Sequence, residues 1–196
     1  MPHPMYRLTE TTPPAAEPLT LDETKTFLRV DHDNDDSQIT GLIAAARQFC
    51  ESLTGRSLIT RSYSLFLDSW PDNGAALALP QPPLLTVTQI NVYAADNSSA
   101  VFSAANYFAD TAGAPGRLVL AEGASPPLPG RIASGIEIRF TAGYGAAASS
   151  VPVLLRQGMK QMIAHLYAHR GDSPDQALLA SGAAALFQPY RVVSLS

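Results

Sequence analysis

Apolar positions near the start of the chain recur at helical spacing. Thr20-Leu21-Asp22-Glu23 opens a first helix running to about Val30. The Thr20 hydroxyl is placed to accept from the Glu23 amide, and the Glu23 side chain to reach back, which would complete a capping box. Ile39, Leu42, Ile43, Ala46, Phe49, Cys50 and Leu53 then mark one face of a second, stronger helix. Asp36 or Ser37 suits its cap, and Gly55 is placed to end it in a left-handed turn. From residue 58 the period drops to two. Ile59, Arg61, Tyr63, Leu65 and Leu67 alternate with Leu58, Thr60, Ser62, Ser64 and Phe66, as in a strand. Further strands are expected at Leu77-Ala78-Leu79, from Val87 to Ala94, from Tyr107 to Asp110, from Leu118 to Leu120 and from Ile136 to Thr141. Turns fall at Pro71-Asp72-Asn73-Gly74 and Asp96-Asn97-Ser98-Ser99. Helical spacing returns after Gly145. Pro152 suits a first helical position. Val153, Leu154, Met159, Met162, Ile163, Leu166 and Tyr167 form the apolar stripe, and Gly171 closes the helix. Ser173-Pro174-Asp175 opens one more short helix to about Ala180.

These elements predict an α+β fold: a mainly helical core, an inserted antiparallel β lobe and an extended C-terminal tail. Residues 1–18, with five prolines, read as a flexible arm. Residues 19–56 hold the N-terminal helices, 57–145 the β lobe and 146–185 the C-terminal helices that complete the core. In the tail, 186–196, Leu186, Phe187, Tyr190, Val192, Val193 and Leu195 are accompanied by a single charge, Arg191. Pro189 forbids a continuous helix and favours an extended form. An apolar, extended chain end is suited to docking on a partner by strand addition.

Composition narrows the function. Hydrophobic residues make up 46% and charged residues 15% of the 196-residue chain, which is the balance of a folded protein. The net charge of −4 supplies no global basic field to grip nucleic acid. The charge is uneven: residues 1–36 carry eight acids and three bases, and residues 151–196 four bases and two acids. No stretch has the uninterrupted apolar length of a membrane span, and Met1-Pro2-His3-Pro4 lacks the regions of a signal peptide. The expected product is made in the cytoplasm, is soluble and does not engage a membrane. Cys50, the only cysteine, reads as a small buried hydrophobe.

Candidate chemistry is sparse. Asp31, Asp33 and Asp35 match the opening of a calcium loop, but its sixth and twelfth places hold Asp36 and Leu42 instead of Gly and Glu. His165 and His169 share a helix face at i, i+4 spacing, with no following Glu and no third ligand in the pattern. Gly143-Tyr144-Gly145 is too short for a phosphate loop and reads as a strand-to-helix turn. No Gly-x-Ser-x-Gly occurs. Glu51, Glu122 and Glu137 are acids for which the sequence nominates no partner. The expectation is a chain with no catalytic residues, no cofactor and no metal.

Several stretches together resemble the phage head-tail connectors, the gp6-like adaptors. They are Leu19-Thr20-Leu21-Asp22-Glu23-Thr24-Lys25-Thr26-Phe27-Leu28-Arg29-Val30, Asp35-Asp36-Ser37-Gln38-Ile39, Ala45-Ala46-Arg47, Glu51-Ser52-Leu53-Thr54-Gly55-Arg56-Ser57-Leu58, and Pro83-Leu84-Leu85-Thr86-Val87-Thr88-Gln89-Ile90 followed by Tyr93. The order Phe140-Thr141-Ala142-Gly143-Tyr144-Gly145, Val151-Pro152, His165-Leu166-Tyr167-Ala168-His169-Arg170 and Leu186-Phe187-Gln188-Pro189-Tyr190-Arg191-Val192 completes the likeness, over about residues 19–193. The loop around Ala112–Arg131 has no counterpart. The resemblance implies a subunit of a ring of about twelve copies below the portal of a tailed phage, prophage or gene transfer agent. Its partners would be the portal protein, neighbouring copies and a stopper or tail-completion protein, with double-stranded DNA passing unread during packaging and ejection. Leu186, Phe187, Pro189, Tyr190, Arg191, Val192 and Val193 are the expected portal-binding residues. A different class remains open: a β-rich binding module or tail accessory protein, also without catalysis.

Overall fold

The computed structural model describes residues 6–71 and 76–192. The fold is α+β, and the chain divides into two compact units. One comprises Met1–Pro13 and Arg61–Gly143; the other comprises Pro14–Thr60 and Tyr144–Ser196.

In the helical unit, α1 spans Leu21–Leu28 and α2 spans Asp36–Thr54. Thr20 Oγ1 accepts from the Glu23 amide at 3.1 Å, but Glu23 does not close a capping box. Its carboxylate accepts instead from Arg156 at 2.6 Å and Lys160 at 3.2 Å, because two cations attract it more strongly than one amide. The N-cap of α2 is Asp35, not Asp36 or Ser37, and its side chain makes no capping bond. It accepts from the Tyr167 hydroxyl. Gly55 ends α2 at φ 69°, in the left-handed region, as glycine allows.

Helix α3 (Val153–Ala168) buries Leu155, Met159, Met162 and Ile163. The stripe predicted to begin at Val153 and Leu154 is therefore out of phase at its start. Those two are 74% and 46% exposed, since the face that runs through Leu155, Met159 and Met162 points the preceding two side chains away. Helix α4 (Pro174–Ala180) opens with a capping box between Ser173 and Gln176. The tail is not extended at residues 186–190. Ala183–Phe187 forms α5, and Gln188–Tyr190 a 3-10 turn. Three alanines and a leucine favour helix, and Pro189 stands at the start of the turn, where its missing amide costs nothing. Phe187 is wholly buried among α2, α3 and α4 residues. A Cβ on Gly158 would lie 2.5 Å from the Phe187 ring, so the glycine makes room for it.

The β unit holds two antiparallel sheets. Strands β1 (Arg7–Thr12), β2 (Arg61–Leu67), β4 (Leu84–Tyr93), β5 (Ser99–Val101) and β8 (Ile136–Ala142) form one, in the order β1-β2-β8-β4-β5. Strands β3 (Leu77–Ala78), β6 (Tyr107–Asp110) and β7 (Arg117–Leu120) form the other, in the order β3-β7-β6. Its core includes Leu65, Leu67, Ile90, Ile136, Ile138 and Phe140. Part of the predicted flexible arm is thus a strand. Leu8 faces Leu65 and Glu10 faces Tyr63 across the β1–β2 ladder, and Glu10 pairs with Arg61 at 2.9 Å. An edge strand needs little apolar surface, so this run of threonines carries no hydrophobic alternation to find. Likewise β5 is exposed at all three positions. Leu58 and Ile59, expected in the β2 strand, are buried in the helical core instead.

Candidate functional site

Alternation along β8 sends Ile136, Ile138 and Phe140 into the β core and sets Glu137 and Arg139 on the opposite face. Glu137 is 4% exposed. It accepts from Ser64 Oγ at 2.8 Å, Asn91 Nδ2 at 3.0 Å, the Tyr93 hydroxyl at 3.0 Å, and Arg139 Nε at 2.9 Å and Nη2 at 3.1 Å. Burial pushes its carboxyl up. The hydrogen bonds from Arg139, Asn91, Ser64 and Tyr93 outweigh that and hold it at about 2. A carboxylate this occupied is a poor proton acceptor. Its role is to fix strands β2, β4 and β8 and to orient Tyr93.

Tyr93 carries the next layer. The Arg131 guanidinium sits 4.7 Å from the centre of its ring. Arg131 belongs to the loop between β7 and β8, and that loop is pinned repeatedly. Trp70 Nε1 donates to the Pro127 carbonyl at 2.8 Å, the Gly130 amide to the Tyr93 carbonyl at 2.8 Å, and the Ser134 amide to Asp68 at 2.7 Å. A Cβ at Gly130 would meet the Ala95 nitrogen at 2.5 Å, so only glycine permits this approach. The pinned loop holds Leu128 and Ile132 out at 88% and 98% exposure. In the same unit, Trp70, Leu77, Leu118, Leu120, Ser125 and Pro126 line a cavity of about 250 Å³.

The residues singled out in the sequence are spent locally. Lys25 draws in Asp33 and Asp36 at 2.6 and 2.7 Å, and Tyr167 takes Asp35. The rings of His165 and His169 stack at 4.3 Å; His165 Nε2 lies 2.8 Å from Asp172 and His169 Nδ1 lies 3.1 Å from the His165 carbonyl. Glu51 binds Arg47 at 3.0 Å and the Leu58 amide at 2.9 Å, and Glu122 lies exposed. Cys50 is buried, and desolvation pushes its thiol up to about 12. Gly143, at φ 132°, makes the expected turn. No helix among the described residues is long and apolar enough to cross a membrane.

The tail residues divide. Phe187 is buried, Leu186 and Tyr190 are half-buried, and Pro189 and Arg191 are exposed. The Tyr190 carbonyl accepts from Arg56, and the Val192 amide donates to the Thr54 carbonyl at 2.9 Å. Val193 lies outside the described residues. Sequence reasoning missed the Glu137–Tyr93–Arg131 relay, although Glu137 and Arg139, two apart in a strand, signalled a shared polar face.

Residues 18–101 match the family model described as phage gp6-like head-tail connector protein. The resemblance to that family therefore holds over residues 18–101, somewhat under half of the chain, and supports a structural connector role. In three dimensions the likeness extends further. A chain from the virion of a native gene transfer agent (GTA) particle is 28% identical with a TM-score of 0.81, covering 96% of this chain and 97% of that one. A chain from the neck of an empty GTA particle, computed with C6 symmetry, is 28% identical with a TM-score of 0.81 and 97% coverage of each. A third, from the neck of a native GTA particle computed with C12 symmetry, is 28% identical with a TM-score of 0.76 and 97% coverage of each. No curated protein sequence matches the chain.

Proposed function

We propose that this protein is the connector subunit at the head–tail junction of a phage or gene transfer agent particle. About twelve copies would form a closed ring below the portal, join capsid to tail and continue the DNA channel. The observation that carries the reading is the likeness, over 97% of both chains, to a chain of a GTA neck computed with C12 symmetry. The net charge of −4 suits a ring through which DNA passes without salt-dependent sticking. Portal protein on one side and a stopper or tail-completion protein on the other are the partners this position demands. At the C-terminal end, Pro189 and Arg191 are exposed, and the half-buried Leu186 and Tyr190 keep some surface for the portal. Phe187 is committed to its own unit. Electron microscopy of particles carrying a labelled copy of this chain tests the reading. Label confined to the neck is the expected result; label on the capsid shell or the tail tip overturns it.

A further inference from the structure

We propose that the loop over residues 122–134 is a preformed apolar knob, carried by Leu128 and Ile132, that seats in the Trp70–Leu77–Leu120 cavity of the next copy of this chain. The inference rests on the connector reading and adds to it the device by which neighbouring copies hold each other.

Singly exposed aliphatic residues are ordinary on protein surfaces. What sets these two apart is the effort spent on holding them out. The Pro127 carbonyl, the Gly130 amide and the Ser134 amide are all hydrogen-bonded to residues outside the loop. Arg131, next to Ile132, stacks on Tyr93, which the buried Glu137 orients. A loop ordered before contact loses little conformational entropy on binding, and more of the contact free energy appears as affinity.

The receiving half lies on the same chain. The cavity of about 250 Å³ is walled by Trp70, Leu77, Leu118 and Leu120. That exceeds the roughly 150 Å³ of an apolar cavity that admits benzene, so an aliphatic side chain fits. The loop cannot fill the cavity of its own copy. Pro126 forms part of the wall and Pro127 is tied to Trp70, which leaves Leu128 and Ile132 directed to solvent. Each copy thus offers a knob, Leu128 and Ile132, and a hole whose wall takes Ala124, Ser125 and Pro126 from the same loop but neither knob residue. A contact between different patches is heterologous, the kind that closes into rings, and the neck of a related particle was computed with C12 symmetry.

The test uses full-length chains in assembled particles. Two proteins, each with one added cysteine, Ile132→Cys and Leu77→Cys, are mixed during assembly and oxidised; the native Cys50 is buried and does not compete. A disulfide-linked dimer of the two proteins is the expected product. Alongside it, Leu128→Asp with Ile132→Asp should leave the melting temperature unchanged and lower the yield of tailed particles about tenfold or more, because each neighbour contact is weakened. Labelled chains present in the neck without any cross-link, or normal tailing by the double aspartate variant, overturn the knob and leave the connector reading intact. A photo-reactive residue at position 132 that attaches to a different neck protein also overturns the choice of occupant. Chains absent from the neck overturn the connector reading, and the inference falls with it.

Discussion

Phe187 and Ile132 are both bulky apolar residues in segments without a long periodic pattern, and the two units place them in opposite ways. Phe187 closes the helical core at 0% exposure; Ile132 stands at 98%. The difference comes from what each segment meets. Gly158 leaves a hole on α3 that only a side chain from α5 fills, so the tail folds back on its own unit. The loop before β8 meets polar and backbone partners that fix its main chain and give Ile132 nothing to pack on. Hydrophobicity alone does not decide burial; what the segment meets within its own unit does.

The largest effect should come from breaking the closed side of that comparison. Phe187→Ala removes a fully buried ring and should cost about 3–5 kcal/mol, read as a fall in melting temperature. Ile132→Ala in the same assay should change stability by less than about 0.5 kcal/mol. A chain truncated after Gly182 loses Ala183 and Phe187 together, so the helical unit should fail to fold instead of leaving a folded connector with a missing arm. A truncated chain with wild-type melting would return the tail to the role of a detached docking segment.

A second effect tests how the open side is held. The Glu137 carboxyl sits at about 2, below its usual value near 4.5. A depressed folded-state value means that the stabilisation is fully present above about pH 4.5 and is lost as the pH falls towards 2. Over that window the β unit should lose on the order of 3 kcal/mol. Glu137→Gln should be less stable at neutral pH and show a flatter acid profile in urea titrations. Equal acid slopes for the two proteins would remove Glu137 as the knot under Tyr93 and Arg131.

Much of the fold was legible because periodicity reports burial. Ile39, Ile43, Ala46 and Cys50 on α2, and Ile136, Ile138 and Phe140 on β8, stand in the cores the pattern assigns them. What escaped had no such pattern. Strand β1 is made of Arg7, Leu8, Glu10 and threonines, and is held by edge pairing and the Glu10–Arg61 ion pair. The turn of the tail into helix was hidden by Pro189, which bars a long helix but suits the start of a 3-10 turn. The loop that presents Leu128 and Ile132 falls where the family resemblance found no counterpart. Its anchors come from Asp68, Trp70 and Tyr93, distant in sequence, so no local window contains the arrangement.

The smallest effect concerns the start of α3, where sequence and structure disagree about which face is buried. Reading Val153 and Leu154 as the head of the apolar stripe makes both of them core residues. In the fold that place belongs to Leu155, which is fully buried, while Val153 is 74% exposed. One hundred degrees per residue separates the two assignments, so substitutions tell them apart cleanly. Leu155→Ala should cost about 2–5 kcal/mol, as for other buried leucines. Val153→Ser, in the first turn of the helix where serine is well tolerated, should stay within about 0.5 kcal/mol. Chemical denaturation of the two variants measures the contrast. A Val153→Ser variant that lost 2 kcal/mol or more would put Val153 back in the core and rotate the whole first turn of α3. Because Arg156 and Lys160 reach Glu23 from this helix, such a rotation would also undo the link between α1 and α3, and the same variant would then show a weakened α1.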